Sequence, residues 1–155
     1  MVSPKLIHQI EDHWERVSGR FFRLLRSSQE LPHVASMSEN ELTDSCRRVL
    51  ATLNLWLVSN TESGLAWTYE KVGVERWRDG IPLSELIRAM QFMKDATLGF
   101  LQEESNVENS VDVFAKEEFD NRLVRFFDLV IFHLARGYES AAQGNSRAAS
   151  ARSGI

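Results

Sequence analysis

Apolar residues recur every three or four positions along most of the chain, which is the period of a helix with one buried face. In the first predicted helix, over about residues 4–26, this stripe consists of Ile10, Trp14, Val17, Phe21 and Leu24. Four further helices are predicted over about residues 39–58, 62–79, 84–102 and 107–142. No alternating strand pattern with matching turn signals appears. We therefore expect an all-α fold, an antiparallel bundle of five or six helices or a globin-like arrangement of them.

Two local signals inside this pattern are specific. The run Ser38-Glu39-Asn40-Glu41 has the spacing of a capping box, in which two side chains satisfy each other's backbone N–H groups at a helix start. The connection before it, over residues 27–37, contains Pro32 and several small polar residues. Gly73 lies inside the third helix, where glycine costs about 1 kcal/mol relative to alanine. Such a glycine allows a neighbouring helix to approach closely.

The corner between the third and fourth helices is the clearest helix boundary in the chain. Gly80 is suited to the left-handed conformation that ends many helices. Pro82 fixes its own backbone and pushes the preceding residue away from helical geometry. Either Ser84 caps the next helix, or Pro82 is its first residue. Glu85 then falls in the first turn, where the helix dipole favours a negative charge.

The last helix has an unusual centre. Residues 126–132, Phe-Phe-Asp-Leu-Val-Ile-Phe, are apolar nearly all round, which predicts either a central buried helix or a dimer interface. The pattern leaves open whether residues 107–142 form one helix or two joined near Lys116. Residues 143–155 are small and polar, so we expect one helical domain over 1–142 followed by a flexible tail or linker.

Composition and charge narrow the function classes. The chain has 155 residues, 43% apolar and 26% charged, which is typical of one soluble domain. Its net charge of −4 argues against general binding to nucleic acid or anionic membranes. No apolar run is long enough to cross a bilayer, and the start lacks a signal-peptide core, so we expect a cytoplasmic protein. Cys46 is the single cysteine and cannot form an internal disulfide.

A search for chemistry finds no catalytic or metal-binding set. No phosphate loop, nucleophile elbow or Cys/His pair is present, and His8, Asp12 and His13 make only a weak metal candidate. A cavity between tryptophan-bearing helices is one hypothesis, with core packing as the alternative. Its candidate lining residues are Trp14, Trp56, Trp77, Met90, Met93 and His133. His133 is a candidate haem ligand or pH-sensing group, or a core residue with one hydrogen bond.

A family resemblance rests on the middle of the chain. Gly73, Arg76 and the run Gly80-Ile81-Pro82-Leu83-Ser84-Glu85-Leu86 resemble the N-terminal helical domain of RsbRD-type co-antagonists of the bacterial general-stress pathway. The early His13-Trp14-Glu15 and the late Gly137-Tyr138 fit the same family. The likeness covers about residues 5–142 and is shared with N-terminal regions of some sensor histidine kinases and transcription regulators.

From the residues themselves we expect no cofactor and no metal site. The resemblance implies a sensory or scaffolding input domain without catalysis of its own. It also implies a homodimer that acts on a protein partner or a fused output domain of a signalling pathway. Pro82, Ser84 and Glu85 belong to its structural motif. Related stress-complex input domains look like globins that have lost haem. The chain shows no output domain after its tail, so we expect a free-standing member or a fragment.

Overall fold

The structure, a computed structural model, describes residues 4–59, 61–104 and 110–153. Every secondary-structure element in these residues is a helix, which confirms the predicted all-α class. The helices of the described residues are α1 (Pro4–Asp12), α2 (Trp14–Ser27), α3 (Pro32–Ala35), α4 (Glu39–Ser59), α5 (Glu62–Arg78), α6 (Leu83–Glu104) and α7 (Ser110–Ser153).

The helix predicted over residues 4–26 is in fact two helices. It is interrupted at His13, whose φ of −124° and ψ of 29° are not helical. α1 packs mainly on α4, whereas α2 packs mainly on α6. The bend between α1 and α2 allows each of them to pack on a different helix. Ile10 and Val17, on either side of the break, are both fully buried. The apolar period therefore continues across the bend and does not reveal it.

The connection predicted over residues 27–37 contains the short helix α3, which begins at Pro32. Its N-terminus is capped from α6, because Oε1 of Glu85 accepts hydrogen bonds from the backbone N–H groups of His33 at 2.9 Å and Val34 at 3.1 Å. Oε2 of Glu85 lies 2.5 Å from Nδ1 of the His33 ring. Glu85 is only 5% exposed, so a buried carboxylate joins two elements far apart in the sequence.

The predicted capping box forms at the start of α4. The backbone N–H of Ser38 donates to Oε2 of Glu41 at 3.3 Å, and the backbone N–H of Glu41 donates to Oγ of Ser38 at 3.1 Å. These reciprocal bonds satisfy two of the N–H groups that a helix start leaves without intrahelical partners.

Gly80 ends α5 as predicted, with a φ of +77°. Its N–H donates to the carbonyl of Trp77 at 3.0 Å, and the N–H of Ile81 donates to the carbonyl of Arg76 at 3.2 Å. This pair of bonds is the Schellman arrangement, in which a left-handed residue just after a helix satisfies its last carbonyl groups.

The start of α6 differs from both predicted alternatives. Its first helical residue is Leu83, and the carbonyl of Pro82 accepts hydrogen bonds from the N–H groups of Glu85 at 3.1 Å and Leu86 at 3.3 Å. Pro82 therefore occupies the capping position and is not the first helical residue. Ser84 lies inside the first turn and does not cap the helix. Glu85 lies in the first turn, as predicted.

α7 is one continuous helix of 44 residues. The question of one helix or two is thus answered for residues 110–142, whereas 107–109 lie outside the described residues. The helix also continues past Ala142 to Ser153, so residues 143–153 of the predicted tail are helical. Residues 154–155 lie outside the described residues. Its core-facing side chains are at most 3% exposed: Phe119, Leu123, Phe126, Phe127, Val130 and Leu134.

α5 and α7 form the most extensive helix pair of the domain. A Cβ atom on Gly73 would lie 2.7 Å from the backbone nitrogen of Tyr138, and one on Gly137 would lie 2.6 Å from the carbonyl carbon of Glu70. The backbones therefore touch, as predicted for Gly73. Tyr138 also donates a hydrogen bond from its hydroxyl to the carbonyl of Ile81 at 2.7 Å, which ties α7 to the corner between α5 and α6.

None of the helices in the described part of the chain is both long and apolar enough to cross a membrane.

Candidate functional site

An apolar cavity of about 70 Å³ lies where α4 and α5 diverge. These helices are consecutive in the chain but make few contacts with each other. Residues of α6 and α7 complete the wall of the space between α4 and α5. Its apolar wall includes Met37, Cys46, Val49, Met90, Met93 and Leu134.

Sulfur-containing side chains dominate one part of this wall. Met37, Met90 and Met93 are three of the four methionines in the chain, and Cys46 is the only cysteine. Methionine is unbranched and polarisable, so it adapts its shape to what it contacts. Burial raises the pKa of the Cys46 thiol to about 11, against the weaker opposite effect of a hydrogen bond with Ser18. The thiol is therefore protonated at neutral pH, and the sulfur-containing residues of the wall carry no charge.

Three polar lining residues are exposed or half-buried, namely Arg48 and Ser45 on α4 and Arg76 on α5, and we call their side of the cavity its mouth. The guanidinium of Arg76 donates to Oδ2 of Asp79 and to Oγ of Ser45, each at 3.1 Å. Arg48 is exposed, and its guanidinium has no ion-pair or hydrogen-bond partner among the described residues. One cation at the mouth is thus already paired, while the other remains available.

Tyr69 supplies the remaining polar group beside Arg48. Its hydroxyl lies 2.6 Å from Oγ1 of Thr52, whose own hydroxyl points to the backbone carbonyls of Arg48 and Val49 at 2.9 and 3.0 Å. Because the Thr52 proton is used there, Tyr69 is the donor in the pair. Burial raises the pKa of Tyr69 to about 12, against smaller opposite effects of Thr52 and Arg48. Tyr69 is therefore neutral at physiological pH.

The structure divides the predicted cavity residues among separate places. Met90 and Met93 line the cavity. Trp14 borders a different, open groove between α1 and α4, where the guanidinium of Arg47 lies 4.6 Å from its ring centre. Trp56 is buried in the core, 5.9 Å from the ring of Phe126.

Trp77 and His133 also lie outside the cavity. Trp77 is partly exposed near the end of α5. His133 is 3% exposed and lies between two glutamates of α5. Its Nε2 is 3.3 Å from Oε2 of Glu62, and its Nδ1 is 3.8 Å from Oε1 of Glu70. The tryptophans therefore do not enclose a common site.

No metal centre assembles in the described part of the chain. The described residues contain no group of three or more histidine, cysteine, aspartate or glutamate side chains that could hold a metal ion. His8 instead pairs with Glu11 on the same helix at 3.5 Å, with both side chains largely exposed. The candidate set of His8, Asp12 and His13 thus does not come together as a site.

Comparison with known families decides the relationship that the corner motif suggests. Residues 11–153 match the family described as the RsbT co-antagonist protein rsbRD N-terminal domain. The chain belongs to this family. RsbRD N-terminal domains are regulatory signalling domains of the bacterial stress response. A search of curated proteins found no match, and neither did a search of solved structures.

The residues that carry the RsbRD motif hold helices together. Gly73 allows α5 to touch α7, and Gly80 ends α5. Arg76 bonds to Ser45 and Asp79, which links α4 to the corner. Glu85 caps α3. In this RsbRD domain the motif is thus a structural junction, and through Arg76 it borders the cavity.

Sequence reasoning alone missed Arg48, Tyr69 and Met37 as cavity residues. The available signal was the edge of a predicted stripe, because Ser45, Arg48 and Thr52 follow one another at helical spacing beside the buried Cys46 and Val49. That spacing predicts which residues border the core, but it does not predict that α4 and α5 diverge there.

Proposed function

We propose that this RsbRD domain is a non-catalytic, cytoplasmic signalling input domain that forms a homodimer. In this proposal it passes a conformational signal through α7 to a protein partner or a fused output domain. The observation that carries the proposal is the family membership of residues 11–153, which extends to the last residue of α7, Ser153. At 1.5 Å per residue, α7 is about 66 Å long, which suits it to carry a change from the helical body to a neighbour.

Exposed aromatic side chains on α7 support dimerisation. Phe114 is 71% exposed and Phe132 is 56% exposed. They are 18 residues apart, which is five helical turns, so both project from the same side of the helix. Val124, 36% exposed, lies between them along the helix and about 80° round the helix axis from them. We call Phe114, Val124 and Phe132 the α7 face. Burying such a face against a second copy would remove apolar area from water, which favours association.

Sedimentation equilibrium tests the dimer and its location. We expect the wild-type chain to be a dimer, and the dissociation constant of Phe132→Glu to rise at least tenfold, because a charge would be buried in the interface. Leu55→Glu is the matched control, since Leu55 is 69% exposed on α4, away from the α7 face. A wild-type monomer at high concentration, or equal weakening by both variants, would contradict the proposal.

The glycine contacts between α5 and α7 support the proposed relay. The backbones touch at Gly73 and Gly137, so no flexible side chains separate the two helices there. A displacement of α5 should therefore be transmitted directly to α7. Hydrogen exchange tests the relay. In Phe132→Glu we expect faster exchange in residues 139–147 of α7, with exchange in α4 unchanged. Exchange in residues 139–147 that does not respond to loss of the dimer would contradict the relay.

The side-chain chemistry supports a non-catalytic role. Cys46 and Tyr69 both keep their protons at neutral pH, because burial raises their pKa values, so neither is an activated nucleophile. His133 is buried between glutamates and does not face the cavity.

A second candidate function is small-ligand sensing, and the methionine-lined cavity favours it. The cavity borders Arg76 at the corner and Leu134 on α7, so an occupant would contact both helices of the proposed relay. The haem form of this hypothesis lacks its ligand residue, because His133 lies outside the cavity. The cavity therefore supports binding of a small molecule but not of haem.

A further inference from the structure

The cavity combines an apolar interior with a cation at its mouth, Arg48, whose guanidinium has no partner among the residues that the structure describes. We propose that it binds a short-chain carboxylic acid, with the hydrocarbon chain among Met37, Met90 and Met93 and the carboxylate on the guanidinium of Arg48. This inference rests on the second candidate function above and specifies its ligand class.

The size of the cavity limits the hydrocarbon part. An apolar cavity of about 150 Å³ holds one benzene molecule, and this cavity has about 70 Å³. Its methionine walls can move to admit more than the static volume. By proportion the static volume holds an aliphatic chain of about three carbons, and movement of the methionines extends the range to roughly six. A long-chain lipid would need much larger rearrangement of the buried core.

The polar groups at the mouth select the head group. Arginine binds a carboxylate through two parallel N–H donors, and the guanidinium of Arg48 has no competing partner among the described residues. Arg76 is already bonded to Asp79 and Ser45. One available cation matches one negative charge, whereas a phosphate dianion would leave charge uncompensated.

The rest of the wall argues against a cationic ligand. Tyr69 and Cys46 are both neutral at physiological pH because burial raises their pKa values. No carboxylate is among the residues that line the cavity in the described part of the chain. A positively charged head group would therefore meet Arg48 without any anion to balance it.

Methyl NMR of methionine-labelled protein measures binding directly. Resonances of Met37, Met90 and Met93, assigned with single Met→Leu variants, are followed during titration with hexanoate. Hexanamide is the neutral ligand of the same length and shape. We expect all three resonances to shift, with hexanoate at least tenfold tighter than hexanamide.

Three variants separate the parts of the site. Arg48→Gln should weaken hexanoate about tenfold or more while changing hexanamide less than twofold, because only the charge-assisted bonds are lost. Arg78→Gln is the matched control, an exposed arginine at the end of α5 that does not line the cavity. Ala89→Leu fills part of the cavity and should weaken both ligands, with its helical circular dichroism unchanged.

The outcomes distinguish this inference from the functions proposed above. Equal affinity for hexanoate and hexanamide, or hexanoate binding that is unchanged in Arg48→Gln, would overturn the carboxylate assignment but leave a small-ligand site. No shift with either ligand would overturn both the ligand class and the sensing function of the cavity. Dimerisation through the α7 face is measured independently, by sedimentation.

Discussion

Gly73 and Gly137 bring the backbones of α5 and α7 into direct contact. A Cβ atom on either glycine would lie less than 3.0 Å from backbone atoms of the opposite helix, a separation that real Cβ atoms essentially never show. The two helices also meet in the same order along their lengths, since Glu62 lies beside His133 and Ile81 beside Tyr138. α5 and α7, which are separated in the chain by α6, therefore run in the same direction at this contact.

Alanine at either glycine should separate the two helices. We expect Gly73→Ala and Gly137→Ala each to lower the free energy of unfolding by about 3 kcal/mol, because rigid backbone cannot move aside as a side chain can. Urea denaturation measures this. Gly64→Ala and Gly144→Ala are controls in the same two helices, where a Cβ atom meets nothing within 4 Å. They should be neutral or stabilising by up to about 1 kcal/mol. Equal effects at all four glycines would contradict the close contact.

The cap that Glu85 places on α3 makes a second prediction. Glu85→Ala leaves the N–H groups of His33 and Val34 without their acceptor and should cost about 3 kcal/mol of unfolding free energy. Glu85→Gln keeps an acceptor oxygen and should cost about 1 kcal/mol. His33→Ala removes only the ring, whose side chain is 57% exposed, and should cost less than about 1 kcal/mol. A larger loss in His33→Ala than in Glu85→Ala would show that the ring contact, not the cap, matters.

Burial of Tyr69 and Cys46 predicts an alkaline loss of stability. Burial raises the pKa of Tyr69 from 10.0 to about 12 and that of Cys46 from 9.0 to about 11. The unfolded chain therefore loses these protons at lower pH than the folded chain. The stabilisation is fully present below about pH 9 and is lost as pH rises through 9–12. Thermal unfolding across this range should show a falling melting temperature.

Variants identify the groups that cause this loss. Tyr69→Phe and Cys46→Ala should each flatten the alkaline fall, and the double variant should flatten it further. Leu53→Ala, at a fully buried position, should lower stability at neutral pH by about 2–5 kcal/mol but keep the wild-type slope. A slope that is unchanged in the double variant would mean that other groups cause the alkaline loss.

The helices of this domain were largely predictable because their apolar stripes are local features of the sequence. The stripe from Leu42 to Trp56 identified α4, and the capping box placed its start. Gly80 was predictable for the same reason, since a left-handed residue after a helix depends on neighbouring residues alone.

The misses have non-local causes. α3 is four residues long, too short for a period, and its cap comes from Glu85, 52 positions beyond His33. The bend at His13 arises because α1 and α2 pack on different helices. Phe132 appeared in the sequence as part of an all-round apolar helix, yet it is 56% exposed. Only the arrangement of α5 and α6 around α7 determines which side of that helix stays open.

The candidate cavity was only partly predictable. Met90 and Met93 were candidates for a cavity wall, with core packing as the alternative, because methionine fills irregular spaces and adapts to ligands, and both border the cavity. The spacing of Arg48 places it at the edge of the α4 stripe, but its position beside the cavity depends on how α4 and α5 pack, which is not a local feature of the sequence. Trp56 and His133 were candidates for the cavity wall because of their residue types. Trp56 instead packs against Phe126, and His133 lies between two glutamates of α5.

Dimerisation through the α7 face underlies the proposed relay. A distance measurement by double electron–electron resonance tests it, with spin labels on Glu117→Cys, an exposed position on α7 about 60° round the helix from Phe114 and so beside the α7 face. Cys46 is 2% exposed and protonated at neutral pH, so it should not take up the label. Axes of packed helices lie about 10 Å apart, so we predict one short distance of roughly 20–30 Å between labels. Absence of dipolar coupling, or a distance beyond about 50 Å, would contradict the account.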